Sequence, residues 1–234
     1  MAILWQSIRE NFRQLGALNA SLYLADRLLR SISGNRARLV RYLLVAQPVP
    51  AQFADSVRPS SASPVREVCS DDPVVKCFPR PPAVIAQRFA SGALCYVAEV
   101  RGRFAGFLWI AFRGYEEDEV RCRYEFTDPE SSAWDYDVYV EPYFRLGRTF
   151  ARLWDTANRR LAAGGVRWTF SRISAFNASS LAAHRRMGLQ ILFSATFVCL
   201  GPLQIMLAGV PPFVHLGWTD ASRPVLRLCP GLAQ

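Results

Sequence analysis

The stretch FNASSLAAHRRMGL (176–189) holds His184, one of only two histidines in the chain. The other residues of this segment are mostly Ala, Ser, Leu and Arg, so the histidine is either a polar residue on a helix face or a group that moves a proton. An imidazole has an unperturbed pKa near ~6.5 and changes charge close to neutral pH, which suits acid–base catalysis. The sequence therefore makes His184 a candidate proton donor.

Two carboxylates form a second candidate, in WDYDVYVEP (134–142). Alternation over this stretch predicts a β-strand with Asp135, Asp137 and Tyr139 on one face, and the opposite face then carries Tyr136, Val138 and Val140. Carboxylates two residues apart on a strand can bind an ammonium group and accept its proton. A solvated strand edge explains the same residues equally well. Weaker candidates are Glu125 and the acids of YEEDE (115–119), a segment expected to be a solvated loop.

The stretch VYVEPYFRLGRTFARLW (138–154) predicts a strand, a proline, a turn and an amphipathic helix. The first turn of a helix carries unpaired N–H groups and the positive end of the helix dipole, which together favour an anion. Gly147 permits close approach to the backbone, and Arg145 and Arg148 add positive charge. A tight turn into a helix produces the same pattern without any ligand.

These residues resemble the first motif of the GNAT acyltransferase superfamily, roughly V-x-P-x-x-R-G-x-G-x-G/A. Val140, Pro142 and Arg145 match it, whereas Leu146 and Arg148 occupy positions where glycine is usual. The second family motif is N-x-x-[AS]-x-x-x-Y-x-x-x-G-F, and this chain keeps every spacing with the residues Asn177, Ser180, His184, Gly188 and Leu189. Asn177 is equally well placed as the N-cap of the following helix. The hairpin of residues 93–112 also resembles the family, and the resemblance covers residues 64–200.

The resemblance implies acyl transfer from acetyl-CoA or another acyl-CoA to a primary amine, with no metal. It places the pyrophosphate on the backbone amides of residues 146–150, and a strand amide near Val138–Val140 polarises the thioester carbonyl. His184 stands where the family usually has the tyrosine that protonates the departing thiolate, and Asp137 with Asp135 would take the proton of the amine. The expected acyl-CoA-binding residues are Val138, Tyr139, Val140, Arg145, Leu146, Gly147, Arg148, Thr149, Phe150, Asn177 and Ser180.

The order of predicted elements indicates an α/β domain. The resemblance makes it the GNAT acyl-CoA N-acyltransferase fold, with a central mixed, mostly antiparallel sheet flanked by helices. Residues 1–60 are expected to form an N-terminal helical extension and the first strand, residues 61–210 the acyltransferase domain, and residues 211–234 a C-terminal tail packed on it. Residues 1–34 predict two amphipathic helical pieces.

The amino-acid composition indicates which broad class of protein the chain belongs to. The 234 residues are 51% hydrophobic and 12% aromatic, which indicates a folded globule. No apolar run is long enough to span a bilayer, and no secretory leader is evident, so a cytoplasmic protein is expected. The net charge of +9 comes from scattered arginines, Lys76 being the only lysine, and no nucleic-acid-binding signature accompanies it. Six cysteines without a C-x-x-C pair predict reduced, structural thiols.

The sequence is also compatible with a different acyl donor and with a protein that has no catalytic activity. The acyl donor could be acyl carrier protein, since a basic surface suits an acidic carrier. The altered glycines and the missing tyrosine would also fit a GNAT-fold binding protein without catalysis.

The acceptor could be an amino sugar, an amino acid, a polyamine or a protein N-terminus. The basic N-terminal helices allow a peripheral membrane contact, and both a monomer and a homodimer are compatible with the sequence.

Overall fold

A computed structural model describes residues 2–51 and 61–230, with side chains from residue 9 onward. The expected boundary at residue 60 and the last residues of the expected C-terminal tail, 231–234, lie outside this part. The helices are α1 (Ala2–Ser33), α2 (Pro82–Ala90), α3 (Thr149–Ala163) and α4 (Ala178–Arg185). The strands are β1 (Ala37–Pro48), β2 (Val65–Val68), β3 (Leu94–Val100), β4 (Arg103–Ala111), β5 (Tyr115–Glu116), β6 (Arg123–Phe126), β7 (Ser132–Val140), β8 (Trp168–Ser174), β9 (Gln190–Leu200), β10 (Leu203–Ala208), β11 (Val214–Gly217) and β12 (Val225–Leu228).

The chain forms two compact units. Unit 1 comprises Met1–Gln47, Tyr115–Thr127 and Phe170–Gln234, and unit 2 comprises Pro48–Gly114 and Asp128–Thr169. Each unit contains β-strands and α-helices, as the α/β prediction requires. None of the described helices combines the length and the apolar content that crossing a bilayer needs.

Unit 1 is built on strands in the order β11-β10-β9-β1-β8, with a small second sheet in the order β12-β6-β5. β1 pairs antiparallel with β9, and β8 lies on its other side, so the first strand of the chain is a central strand of this unit. This position explains why β1 is so apolar: Leu44 and Val45 are fully buried. α1 breaks at Gly16, whose φ of 76° departs from helical geometry, and this confirms the two predicted helical pieces.

Unit 2 is built on strands in the order β7-β4-β3-β2. The predicted hairpin of β3 and β4 is confirmed, and its turn residues Arg101 and Gly102 both have positive φ. α3 packs against β3 and β4, as expected for the predicted amphipathic helix, and its buried residues Leu153, Ala157 and Leu161 recur at helical spacing. α2 is short, and Ile85 is its buried residue.

Candidate functional site

The connection from β7 to α3 in unit 2 follows the predicted strand–proline–turn–helix pattern. Glu141 N donates to Ala105 O at 2.9 Å, and Pro142 then opens a single 3-10 turn, Pro142–Phe144. Proline suits this position because its fixed φ starts a helical turn and it has no N–H to extend the strand pairing. Arg145 Nε donates to Val140 O at 3.1 Å, which ties the turn back to the end of β7.

The N-terminus of α3 carries backbone amides that have no acceptor in the described part of the chain. Its N-cap residue, Arg148, makes no side-chain capping bond. In the described part of the chain, the amides of Leu146, Arg148 and Thr149 have no acceptor, while Gly147 N donates to Phe144 O at 3.1 Å. Arg145 and Arg148 are exposed beside these amides. An anion placed here would meet N–H donors, the positive end of the helix dipole and two guanidinium groups.

β7 contains a bulge that overturns part of the predicted alternation. Tyr139 pairs with Phe107 and Tyr136 pairs with Trp109, so three residue steps on β7 match two on β4. Asp137 lies in the bulge with a φ of 48°, in the left-handed region. Tyr136 and Tyr139 therefore share a face, with ring centroids 6.4 Å from Trp109 and 5.5 Å from Phe107 respectively. The prediction that they lie on opposite faces is wrong because the extra residue changes the parity of the strand.

Asp137 is held by two arginines, Arg80 and Arg88, that no local sequence pattern indicates. Arg80 Nε donates to Asp137 Oδ2 at 2.8 Å, and further N–H groups of Arg80 and Arg88 donate to the same carboxylate. The three side chains are mostly buried, with 30%, 12% and 14% of the Arg80, Arg88 and Asp137 side chains exposed. Charge-assisted bonds from both partners occupy the lone pairs that a general base would use. The cluster carries one net positive charge.

Aromatic rings fix the two guanidinium groups in place. Arg80 lies over the rings of Phe107 and Tyr139, at 5.5 and 5.6 Å from their centroids. Arg88 lies over Trp109 and Tyr136, at 5.4 and 5.1 Å. Cation–π attraction and the ion pairs therefore act on the same groups.

The remaining candidates of unit 2 lie on β7 and in the first turn of α3. Asp135 is buried and pairs with Ile110, ahead of the bulge. Val138 lies between the paired residues Tyr136 and Tyr139. Phe150, in the first turn of α3, places its ring 6.4 Å from that of Trp154. Within unit 2, the β7 and α3 candidates are joined by the turn that Arg145 ties to the end of β7.

In unit 1, α4 carries the second motif. Asn177 Oδ1 accepts from Ser180 N at 3.0 Å and from Ser179 Oγ at 2.9 Å. Asn177 is therefore the N-cap of α4, the structural role that its position allowed. Leu181 of the same helix is buried against Val45 and Ile173, which anchors α4 to the strands of this unit.

His184 is buried, with 6% of its surface exposed. Its Nδ1 lies 2.8 Å from the carbonyl oxygen of Ser180. A carbonyl only accepts hydrogen bonds, so Nδ1 carries a proton in this arrangement. It follows that Nε2 of the neutral ring is an acceptor and that only the imidazolium form can donate from Nε2.

The expectation that YEEDE forms a solvated loop is wrong at Glu117. This side chain is fully buried and accepts from Arg172 Nε, and Arg172 also contacts Asp118 at 3.3 Å. The Tyr42 hydroxyl donates to the neighbouring Glu119, and the Arg172 guanidinium lies 4.4 Å from the centroid of the Tyr42 ring. Burial raises the pKa of Glu117 to about 7, although the Arg172 guanidinium opposes the shift.

No protein-family model matches the chain, and no curated protein matches it in sequence. The solved structures to which it is similar are mostly GNAT-family acetyltransferases. A putative GNAT-family acetyltransferase from Novosphingobium aromaticivorans DSM 12444 is 20% identical over 68% of this chain, with a TM-score of 0.48, and this chain spans 63% of that protein's length. A functionally unknown conserved protein from Staphylococcus epidermidis ATCC 12228 is 14% identical over 75% of this chain and 68% of its own, with a TM-score of 0.51. An aminoglycoside acetyltransferase from an uncultured soil metagenomic sample, in complex with sisomicin, is 13% identical over 54% of this chain and 87% of its own, with a TM-score of 0.40.

The fold of the chain is similar to that of solved structures that are mostly GNAT-family acetyltransferases. The resemblance read from the motifs is confirmed at this level. The first GNAT motif falls on the end of β7, the turn and the start of α3, and the second falls on α4 and the turn that follows it. The site residues that the motifs nominate stay predictions.

Proposed function

We propose that the protein is a GNAT-type N-acyltransferase. It moves an acyl group, most simply acetyl, from acyl-CoA to a primary amine of a small molecule or sugar. The observation that carries the proposal is the uncapped N-terminus of α3, where three amides lack acceptors in the described chain beside Arg145 and Arg148. Such an arrangement favours the binding of a pyrophosphate.

The two departures from the glycine pattern, Leu146 and Arg148, both have exposed side chains, which is compatible with this role. Leu146 is completely exposed, so its side chain points away from the protein and leaves its amide accessible. Gly147 stands one place over from the usual glycines, where an added β-carbon would lie 3.3 Å from Phe144 O, which is a tight contact. The proposed donor-binding residues are those nominated by the motifs in β7, the turn, α3 and α4.

The acyl-CoA supplies an activated thioester when it is bound. The chain would supply the backbone amides near Val138–Val140 as donors to the carbonyl oxygen, on which negative charge develops when the amine attacks. His184, as the imidazolium, would give a proton from Nε2 to the leaving thiolate. Asp137, already held by two guanidinium groups, would act by positioning charge beside the bulge, and Asp135 remains a candidate for the proton of the amine.

The proposal is tested by mixing the protein with acetyl-CoA and a panel of primary amines while the released thiol is measured. We expect thiol release that depends on the amine, with the acylated amine found by mass spectrometry. Binding of coenzyme A without turnover of any amine would instead favour the binding-protein alternative. Activity with acylated acyl carrier protein but not with acyl-CoA would show that the carrier protein is the acyl donor.

A further inference from the structure

A small cavity lies beside the Arg80–Asp137–Arg88 cluster in unit 2. It has a volume of about 260 Å³ and lies between the 3-10 segment Pro73–Cys77 and α2. Its apolar lining includes Val75, Phe78, Ile85 and Phe89. The volume suits one ring with a short polar substituent and is too small for an aminoglycoside-sized molecule.

We call this cavity the α2 pocket. Two of its lining side chains, Phe78 and Phe89, are aromatic. The ring centroid of Phe78 lies 4.8 Å from that of Phe107, and the ring of Phe89 lies 4.8 Å from that of Trp109. A ligand ring that enters the pocket would extend an existing cluster of tilted and edge-to-face contacts. The lining therefore favours an aromatic group.

Two cations border the pocket. Lys76, the single lysine of the chain, is exposed and makes no ion pair with any residue that the structure describes. Arg80 shares Asp137 with Arg88, so one positive charge in that cluster has no carboxylate partner. A ligand carboxylate placed between Lys76 and Arg80 would be the missing counter-charge.

We propose that the α2 pocket binds the acyl acceptor and that this acceptor is an aromatic primary amine bearing a carboxylate. The ring would occupy the apolar lining and the carboxylate would contact Lys76 and Arg80. Arg80 links this place to the bulge of β7, because it binds Asp137 and lies over Tyr139. The role of the ligand as acyl acceptor rests on the proposed function, whereas the binding of an aromatic carboxylate in the pocket does not depend on it.

The test is equilibrium binding in the absence of any acyl donor, measured by calorimetry with four probes. The probes are L-phenylalanine, 3-phenylpropanoate without the amine, 2-phenylethylamine without the carboxylate, and L-alanine without the ring. We expect the first two to bind and removal of the carboxylate or the ring to weaken binding roughly 10-fold to 100-fold. Equal binding of L-phenylalanine and 2-phenylethylamine, or no binding of any aromatic probe, would overturn the inference.

Four variants locate the binding. Lys76→Met removes the charge from an exposed side chain and should abolish the preference for carboxylates, whereas Lys76→Arg should keep it. Ala86→Phe fills the pocket from α2 and should block every aromatic probe. Ala83→Phe is the matched control, since Ala83 is exposed on the same helix and does not line the pocket. Unchanged binding in both Lys76→Met and Ala86→Phe would contradict the proposal. A protein that binds the aromatic carboxylates but never acylates them would refute the proposed function and leave the binding site standing.

Discussion

Gly106 on β4 lies directly opposite Val140 at the end of β7, and the two strands approach so closely that a β-carbon on Gly106 would lie 2.3 Å from the carbonyl oxygen of Tyr139. No real β-carbon is tolerated at that distance from a backbone atom. The glycine therefore sets the position of the strand end from which Pro142 and the turn into α3 follow. Its role is to allow close packing between strands.

Gly106→Ala should displace the end of β7 and disturb the proposed donor site. We expect a loss of about 1–3 kcal/mol in unfolding free energy, the usual cost of an overpacked position, and at least roughly 10-fold weaker coenzyme A binding. Chemical denaturation and calorimetry measure the two effects. Gly164→Ala is the matched control, because its β-carbon would meet the nearest atom at an ordinary 3.4 Å. Normal coenzyme A affinity in Gly106→Ala would show that the close strand approach at this glycine is not needed for donor binding.

Asp137→Asn should lower stability and activity without restoring activity at high pH. The substitution removes the charge that two guanidinium groups share, and for these partly buried groups we expect a loss of about 1–3 kcal/mol in unfolding free energy. A general base behaves differently, because free amine becomes abundant at high pH and replaces it. A pH profile of kcat/KM distinguishes the two roles. Recovery of the variant to wild-type rates above the pKa of the acceptor amine would establish Asp137 as the base.

His184→Phe should lower kcat by roughly 10²–10⁴-fold while the dissociation constant for coenzyme A changes much less. Phenylalanine preserves the ring volume of this buried side chain but has no proton to donate. His184→Tyr restores a hydroxyl donor and should recover much of the rate. The readout is the separation of kcat from donor binding across the three proteins. A fully active Phe variant would leave His184 with a packing role only.

Glu117 should make the stability of the protein fall as the pH rises. Burial raises its pKa from 4.5 to about 7, so the folded state binds more protons than the unfolded state between these values. Stabilisation by the protonated form is complete below about pH 4.5 and is lost as the pH rises through about 7, with an upper bound of about 3 kcal/mol. Glu117→Gln should flatten this part of the stability profile in thermal unfolding experiments. The exposed neighbour Glu116→Gln is the control, and equal profiles for both variants would show that folding does not raise the pKa of Glu117.

Regular elements were predictable where the pattern is local. The stripe of Leu153, Ala157 and Leu161 repeats at helical spacing, and the burial that it predicts for α3 is confirmed. The hairpin turn at Arg101 and Gly102 is equally local. β11 and β12 were missed because four-residue strands carry too little pattern to be distinguished from loop.

The ion pairs of Asp137 and Glu117 could not be predicted from the local sequence. Arg80 and Arg88 precede Asp137 by 57 and 49 residues, and Arg172 follows Glu117 by 55. Nothing in either local sequence indicates the partner, so the acids of YEEDE looked like a solvated loop. The bulge at Asp137 could not be predicted for another reason. A bulge has no characteristic residue type in this stretch, yet the extra residue reverses the face of every side chain that follows it on the strand.

The central claim, that the start of α3 binds the phosphates of the acyl donor, is tested most directly at Gly147. Its substitutions Gly147→Asn and Gly147→Asp add side chains of nearly equal size, and each β-carbon meets Phe144 O at the same 3.3 Å, so the pair differs chiefly in charge. Calorimetric titration with coenzyme A should give an affinity within about 3-fold of wild type for Asn and at least roughly 10-fold weaker binding for Asp. Equal affinities for the Asn and Asp variants, or no binding of coenzyme A by the wild-type protein, would contradict the claim.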